Sequence, residues 1–90
     1  MKREEAEDRN ARSKATRGLK KLVERLERQH MRAEEVVEGL QNQLGDPAIY
    51  DDKVAMKQAI DAHAKARAKA DELLAEWEAA VAELDEAENR

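Results

Sequence analysis

The chain has no cysteine and no phenylalanine, and it holds one proline, one tryptophan and one tyrosine among its 90 residues. The absence of cysteine excludes a disulfide framework and any thiolate metal site. Aromatic residues make up 2% of the chain and charged residues 42%. Too few bulky side chains therefore remain for an ordinary globular core, which is marginal at this length. The abundance of Ala, Glu, Lys, Leu and Arg instead favours long helices or a coiled coil.

Long apolar stretches are missing as well. No run of 18 apolar residues occurs, so the sequence predicts no membrane span. The first ten residues, MKREEAEDRN, lack the apolar region of a secretory signal peptide. We therefore expect a cytoplasmic chain that has no membrane partner.

The charge is unevenly distributed along the chain. Residues 1–32 carry 11 Lys/Arg and 6 Asp/Glu, whereas residues 33–90 carry 6 Lys/Arg and 15 Asp/Glu. This asymmetry predicts either a polyanionic partner for the basic part or pairing between the two parts.

Two heptad ladders, with members three and four residues apart, lie on either side of the midpoint. The first consists of Leu19, Leu22, Leu26, Gln29, Ala33, Val36, Leu40 and Gln43, widened by Val23, His30, Val37 and Leu44. The second consists of Met56, Ile60, His63, Arg67, Ala70, Leu74, Trp77, Val81 and Leu84. If the chain folds back at residue 50, the two ladders face each other, with Leu26 opposite Leu74 and Leu40 opposite Ile60. The same fold places Ala33 opposite Arg67, and Leu22 or Val23 opposite Trp77. The sequence therefore predicts an all-α fold, an antiparallel two-helix coiled-coil hairpin with a short helical turn at its tip.

The segment LGDPAIYDD has the chemistry of that tip. Gly45 is expected to end the first helix in the left-handed conformation. Asp46 and Pro47 are suited to the N-cap and first position of a short helical turn. Asp51 or Asp52 is expected to cap the second helix. The two apolar residues of the loop are expected to pack into the tip: Ile49 and Tyr50.

The start of the first helix is less regular, because Gly18 interrupts the pattern and Thr16 is suited to an N-cap. We interpret the preceding residues as a charged lead-in from an attached domain, either a separate helix or a frayed segment. The predicted organisation is a lead-in at 1–16 and a hairpin at 17–88, made of a helix at 17–44, a tip at 45–52 and a helix at 53–88.

Catalytic constellations are absent from the sequence: Ser13 has no nearby His, and no phosphate-binding loop occurs. His30 and His63 are interpreted as polar residues of the seam. Direct function is expected from a basic run instead, and its candidate nucleic-acid-binding residues are Arg12, Lys14, Arg17, Lys20, Lys21, Arg25, Arg28 and Arg32. A basic helical stripe can follow a phosphate backbone without reading its sequence. The alternative is that these charges pair with the eight acidic residues of 71–88.

A family resemblance adds to these inferences. The tip and the end of the second helix resemble the C-terminal coiled-coil domain of bacterial ABC-F ATPases, and the lead-in resembles the basic segment that joins this domain to the second ATPase domain. A similar Leu-x-Asp-Pro turn occurs in peptide chain release factors, but the lead-in and the Trp-Glu pair favour ABC-F. The matching positions are Leu44, Asp46, Pro47, Tyr50, Asp51, Asp52, Trp77 and Glu78.

The resemblance implies a non-catalytic domain of a tandem ATPase that binds nucleic acid, either DNA or ribosomal RNA, with the ribosome as a further partner. ATP and Mg²⁺ would bind in other domains of such a protein, so no cofactor is expected in this chain. The alternative function is a protein-interaction or dimerisation coiled coil, or a spacer without affinity for nucleic acid. The chain itself is expected to be a monomer or a weak homodimer.

Overall fold

Two long helices and a short turn account for the structure. A computed structural model describes residues 2–89, and it describes the side chains of residue 11 and residues 13–89. Helix α1 spans Lys2–Leu44, a 3-10 turn at the tip spans Pro47–Asp51, and helix α2 spans Lys53–Glu88. The helices pack against each other in an arm with dimensions of 75 × 16 × 14 Å. The predicted all-α antiparallel hairpin is confirmed, including the span of its second helix.

Helix α1 is continuous through Thr16 and Gly18, so Thr16 is not the N-cap that the sequence suggested, and the helix does not begin at residue 17. A glycine inside a helix costs only about 1 kcal/mol relative to alanine, and the flanking residues are strong helix formers. A Cβ atom at Gly18 would meet nothing within 4 Å, so this glycine has no packing role. The division into a lead-in and a hairpin stays a prediction about function rather than a break in the helix.

Side-chain caps shape the tip as the sequence predicted. The Asp46 carboxylate accepts a hydrogen bond of 3.0 Å from the Ala48 N–H, and Pro47 opens the 3-10 turn. The Asp52 carboxylate caps α2 by accepting bonds of 3.1 Å from the N–H groups of Val54 and Ala55. Because each cap satisfies donors that the helix start leaves free, the chain reverses within a few residues.

Two expectations for the tip are wrong. Gly45 does not have a positive φ, although its N–H donates a 2.9 Å hydrogen bond to the Gln41 carbonyl. Tyr50 does not pack into the tip, since it is 62% exposed. Its hydroxyl instead donates a 3.0 Å hydrogen bond to the Leu44 carbonyl, one of the acceptors left free at the end of α1. Ile49 is half-buried.

The contact between the helices follows one regular seam, whose members are buried or half-buried and alternate by three and four residues. On α1 the seam consists of Leu19, Val23, Leu26, His30, Ala33, Val37, Leu40 and Leu44. On α2 it consists of Met56, Ala59, His63, Ala66, Ala70, Leu73, Trp77, Ala80, Leu84 and Ala87. The predicted coiled-coil periodicity is therefore correct.

The rotation of each helix differs from the predicted ladders by about one residue. On α1, Val36 is 56% exposed and the adjacent Val37 is 2% exposed. On α2, Ile60 is 49% exposed and Ala59, at 6%, lies in the seam instead. Small side chains at the contact allow a closer approach of the helix axes, which explains why alanines displace larger residues. Six other members of the predicted ladders also lie off the seam: Leu22, Gln29, Gln43, Arg67, Leu74 and Val81.

A cluster of buried apolar residues lies in the half of the seam remote from the tip. Leu26, Leu73 and Ala80 are buried together there, each 4–6% exposed. Partly buried apolar residues pack around them: Leu22, Val23, Ala33 and Trp77. Trp77 thus packs against the same cluster as Leu22 and Val23, the residues that it was predicted to face. Within residues 2–89, no helix combines the length and the apolar character that crossing a membrane requires.

Candidate nucleic-acid interface

Most of the predicted basic residues lie along α1 on the side away from α2. We call six of them the α1 basic stripe: Lys14, Arg17, Lys21, Arg25, Arg28 and Arg32. Successive members are three or four residues apart, which places them along one helix face. All six are exposed, and none belongs to the seam. Lys20 is exposed beside the stripe, and the side chain of Arg12 lies outside the described residues.

Ion pairs account for little of this positive charge. Lys20 Nζ lies 3.7 Å from Glu88 Oε1, and these two side chains are 57% and 46% exposed. The Arg17 Nε–H group donates a 3.4 Å hydrogen bond to the Ser13 carbonyl, within the same helix. None of the six stripe residues forms an ion pair with a described carboxylate. The alternative expectation, extensive pairing with residues 71–88, therefore applies only to Lys20 among the described side chains of this run.

A second charged group, which the sequence analysis missed, joins the helices at mid-hairpin. Arg67 holds Glu34 through two hydrogen bonds, one of them 3.1 Å long from Nη1 to Oε2 and the other from Nη2 to Oε1. The same guanidinium donates from Nε to Asp71 at 3.1 Å. His30 Nε2 lies 3.2 Å from Glu34 Oε1. Ala33 was expected to face Arg67, but the carboxylate of the next residue, Glu34, was not identified as the partner of Arg67.

Hydrogen bonding and the charge of Arg67 hold the pKa of the Glu34 carboxyl below its ordinary value of 4.5. The same hydrogen bonds raise the pKa of Arg67, which stays charged throughout the accessible pH range. Both side chains are more than one third exposed, so solvent and salt screen the pair. Its main effect is on geometry, because a two-point contact between Glu34 and Arg67 specifies which residues of the two helices lie side by side.

We expect Glu34→Gln to lower the unfolding free energy at neutral pH, and we expect this loss to shrink in acid. A carboxylate whose folded pKa is depressed stabilises the fold above its unfolded pKa, and this contribution disappears as pH falls through the folded value. The difference between wild type and variant should therefore narrow below about pH 4.5. Urea unfolding followed by circular dichroism at several pH values measures it. Glu35→Gln, an exposed neighbour, is the matched control. A difference that stays constant into acid would show that Glu34 is not held by Arg67.

The two histidines belong to the seam, as expected, and are half-buried. Nε2 of His63 is buried without a hydrogen-bond partner among the described residues. No group of three or more His, Asp or Glu side chains within the described part of the chain could hold a metal ion. The charged outer surface of the hairpin is thus the remaining candidate for a functional site.

Taken together, the fold and the exposed stripe define an antiparallel coiled-coil arm with a basic outer face. The family model of the ABC transporter C-terminal domain matches residues 14–80, which covers most of the hairpin. The chain belongs to this family and is the C-terminal domain of an ABC-type protein. No curated protein and no solved structure matches it significantly.

Proposed function

We propose that this hairpin is the non-catalytic nucleic-acid-binding domain of a tandem ATPase of the ABC-F type. In this proposal the α1 basic stripe holds the phosphate backbone of DNA or ribosomal RNA. The observation that carries the proposal is that the six stripe residues are exposed, lie on one face and form no ion pair with a described carboxylate. Exposed cations that are not paired with described carboxylates are available to a polyanion.

The dimensions of the stripe suit a nucleic-acid helix. Lys14 and Arg32 are 18 residues apart, which corresponds to about 27 Å along a helix axis. That length spans about eight phosphates of one strand of B-DNA. No aromatic residue lies among the stripe residues, so stacking on single-stranded bases is disfavoured. Binding is therefore expected to depend on phosphate charge and to be independent of base sequence.

The attached ATPase domains supply the remaining parts of this proposal. ATP and Mg²⁺ would bind there, and the hairpin would bring those domains to a nucleic acid in the cytoplasm. Ribosomal RNA on the ribosome and cellular DNA are both ligands with the required chemistry, because each presents a dense row of phosphates. The hairpin contributes contacts to the ligand and takes no part in hydrolysis.

The triple variant Lys21→Gln, Arg25→Gln, Arg28→Gln tests the proposal. Each lost phosphate contact lowers the slope of log K against log salt by about 0.9 on B-DNA, so the triple change should lower it by roughly 2 to 3. Affinity should fall alike on DNA duplexes of different sequence. Fluorescence anisotropy at several salt concentrations measures both quantities on labelled duplex DNA and structured RNA.

A matched control replaces three exposed carboxylates on α2, Glu72, Glu76 and Glu78, by Gln. This control changes three charges of the opposite sign and should leave binding as tight or make it tighter. Wild-type protein that binds neither ligand near physiological salt would overturn the proposal. If the basic triple then lowered the melting temperature instead, its charges would serve the fold, and a spacer or docking arm would be the surviving function.

The second candidate function is a protein-interaction or dimerisation arm. The observation in its favour is the exposure of large apolar side chains, with Val36 at 56%, Val54 at 67% and Ile60 at 49%. Sedimentation equilibrium distinguishes the two functions, because a dimerisation arm forms a dimer in the absence of nucleic acid.

A further inference from the structure

Charge along the hairpin falls into four blocks of alternating sign. Residues 14–32 carry 7 basic and 2 acidic residues, and residues 33–52 carry 6 acidic and no basic ones. Residues 53–69 carry 5 basic and 1 acidic residue, and residues 70–88 carry 8 acidic and no basic ones. Because the helices are antiparallel, each block lies beside one of opposite sign. The basic surface therefore belongs to α1 in the half remote from the tip and to α2 in the half near the tip.

The basic block of α2 is exposed in the same way as the α1 stripe. Lys53, Lys57, Lys65 and Lys69 are exposed, whereas Arg67 is engaged by Glu34. Lys69 Nζ lies 3.7 Å from Glu72 Oε2, in a pair whose side chains are 61% and 60% exposed. Such an exposed pair is weak and can open when a stronger anion approaches. The other three lysines form no ion pair with a described carboxylate.

The Glu34–Arg67 contact sets the register of the two basic blocks. With residue 34 beside residue 67, Lys69 lies at the level of Arg32, where the α1 basic stripe ends. Lys65 lies about one helical turn closer to the tip. The two blocks therefore follow one another along the arm without a gap.

The two blocks also meet on one side of the hairpin. A surface groove there is lined by Arg25 and Gln29 of α1 and by Glu76 of α2, among others. Arg32 lies seven residues after Arg25, and Lys69 lies seven residues before Glu76, so each is about two turns away on the same side of its helix. Lys65 lies one further turn along α2. The flank that carries Arg25 and Arg32 on α1 thus carries Lys65 and Lys69 on α2.

Acidic residues restrict the path that a polyanion can take across this flank. Glu76 and Glu83 line the same groove remote from the tip, so a phosphate backbone must stay on α1 there. Beyond Arg32, α1 turns acidic with Glu34 and Glu35. The favourable path for a polyanion therefore crosses from α1 to α2 at the level of Arg32.

We infer that Lys65 and Lys69 form a second phosphate-binding surface, continuous with the α1 basic stripe, and that the composite site takes double-helical nucleic acid. The inference rests on the proposed function. Packed helix axes lie about 8–10 Å apart, so the basic block of α2 is displaced sideways from the α1 basic stripe as well as along the arm. The two phosphate backbones of a double helix can contact one block each, whereas a single strand reaches both blocks only by crossing from one helix to the other.

The test compares two double variants. One combines Lys65→Gln with Lys69→Gln, and the control combines Lys53→Gln with Lys57→Gln. Both doubles remove two exposed lysines from α2. The control pair lies on the other flank of the hairpin, on which Arg67 contacts Glu34. Lys53 is two heptads before Arg67 and therefore lies on the same side of α2 as Arg67. Binding of a labelled DNA duplex, and of one of its strands alone, is measured by anisotropy over a range of salt. The Lys65/Lys69 double should lower the duplex slope by about 2 and change single-strand binding much less. The control double should lower the duplex slope less than the Lys65/Lys69 double does.

Equal slopes for the two doubles would overturn the inference, and they would leave the proposed function intact as long as the Lys21/Arg25/Arg28 triple still lost affinity. A wild-type chain that binds no duplex would overturn both. Lys65→Arg, Lys69→Arg keeps the charges and should keep the wild-type slope. If this charge-preserving double lowers the duplex slope as well, the effect comes from altered packing, and the inference fails.

Discussion

Leu73→Ala is expected to lower the unfolding free energy by about 2–5 kcal/mol, the usual cost of deleting a buried leucine side chain. Leu73 is 6% exposed and packs with Leu26 and Ala80 in the main cluster. Loss of its side chain leaves a cavity that two rigid helices cannot easily close. For a small domain this cost is a large part of the total stability. Urea unfolding followed by circular dichroism measures the change.

Leu74→Ala is the matched control, because it removes the same atoms one residue further along α2. Leu74 is half-buried beside the seam, and alanine is the stronger helix former, so its replacement should cost much less. Val37→Ala and Val36→Ala form an equivalent pair on α1, at 2% and 56% exposure. If Leu74→Ala costs as much as Leu73→Ala, the helix rotation described above is wrong.

Trp77→Ala has the second large expected effect, about 3–5 kcal/mol by comparison with other large-to-small core changes. Trp77 packs against the cluster around Leu26 and Leu73 and is itself half-buried, so the lower part of this range is expected. Trp77→Phe should be much milder. The indole Nε1 is buried without a hydrogen-bond partner among the described residues, and phenylalanine removes that unpaired donor while keeping most of the apolar contact.

Circular dichroism is the appropriate probe for these variants, because Trp77 is the only tryptophan of the chain and its fluorescence disappears on substitution. A Trp77→Ala protein that melts within a few degrees of wild type would show that the indole contributes little to the fold. Trp77 would then be a candidate contact for a partner of the arm.

Turn chemistry made the tip and the second helix predictable from the sequence. Asp46, Pro47 and Asp52 act through hydrogen bonds to residues two or three positions away, so their effect needs no knowledge of the rest of the fold. The heptad spacing likewise identified two helices that pack along their length. These features together specify a hairpin that reverses near residue 50.

The rotation of the helices was not predictable in the same way. Val36 and Val37, or Ile60 and Ala59, are neighbouring residues that each continue a regular ladder. The choice between them depends on the size of the side chains that the other helix presents, which a pattern along one helix does not contain. The heptad pattern predicted the larger apolar residues on α2, whereas close approach of the helices favoured alanine.

For the candidate interface, exposure could be predicted and pairing could not. Arg25 and Arg28 lie opposite the apolar ladder, so solvation of their charges follows from the helical period alone. The contact of Glu34 with Arg67 depends on the register to within one residue and on the rotamers of two long side chains. A chain that folds back at residue 50 is expected to have Ala33 beside Arg67, one position from Glu34, whose carboxylate binds Arg67.

The covalent connection and the Leu26–Leu73 layer lie at different levels of this arm, which has a consequence for the order of folding. Near the tip the helices are close in sequence, and bringing them together costs little chain entropy, yet two of the seam residues that α2 offers there, Ala59 and Ala66, are small. Leu26 and Leu73 bury larger side chains but are separated by 47 residues. Closure that starts at the tip must therefore pass through weakly stabilised stages before the leucines meet. The transition state should already contain the Leu26–Leu73 layer, and the hairpin should fold in one cooperative step rather than close progressively from the tip.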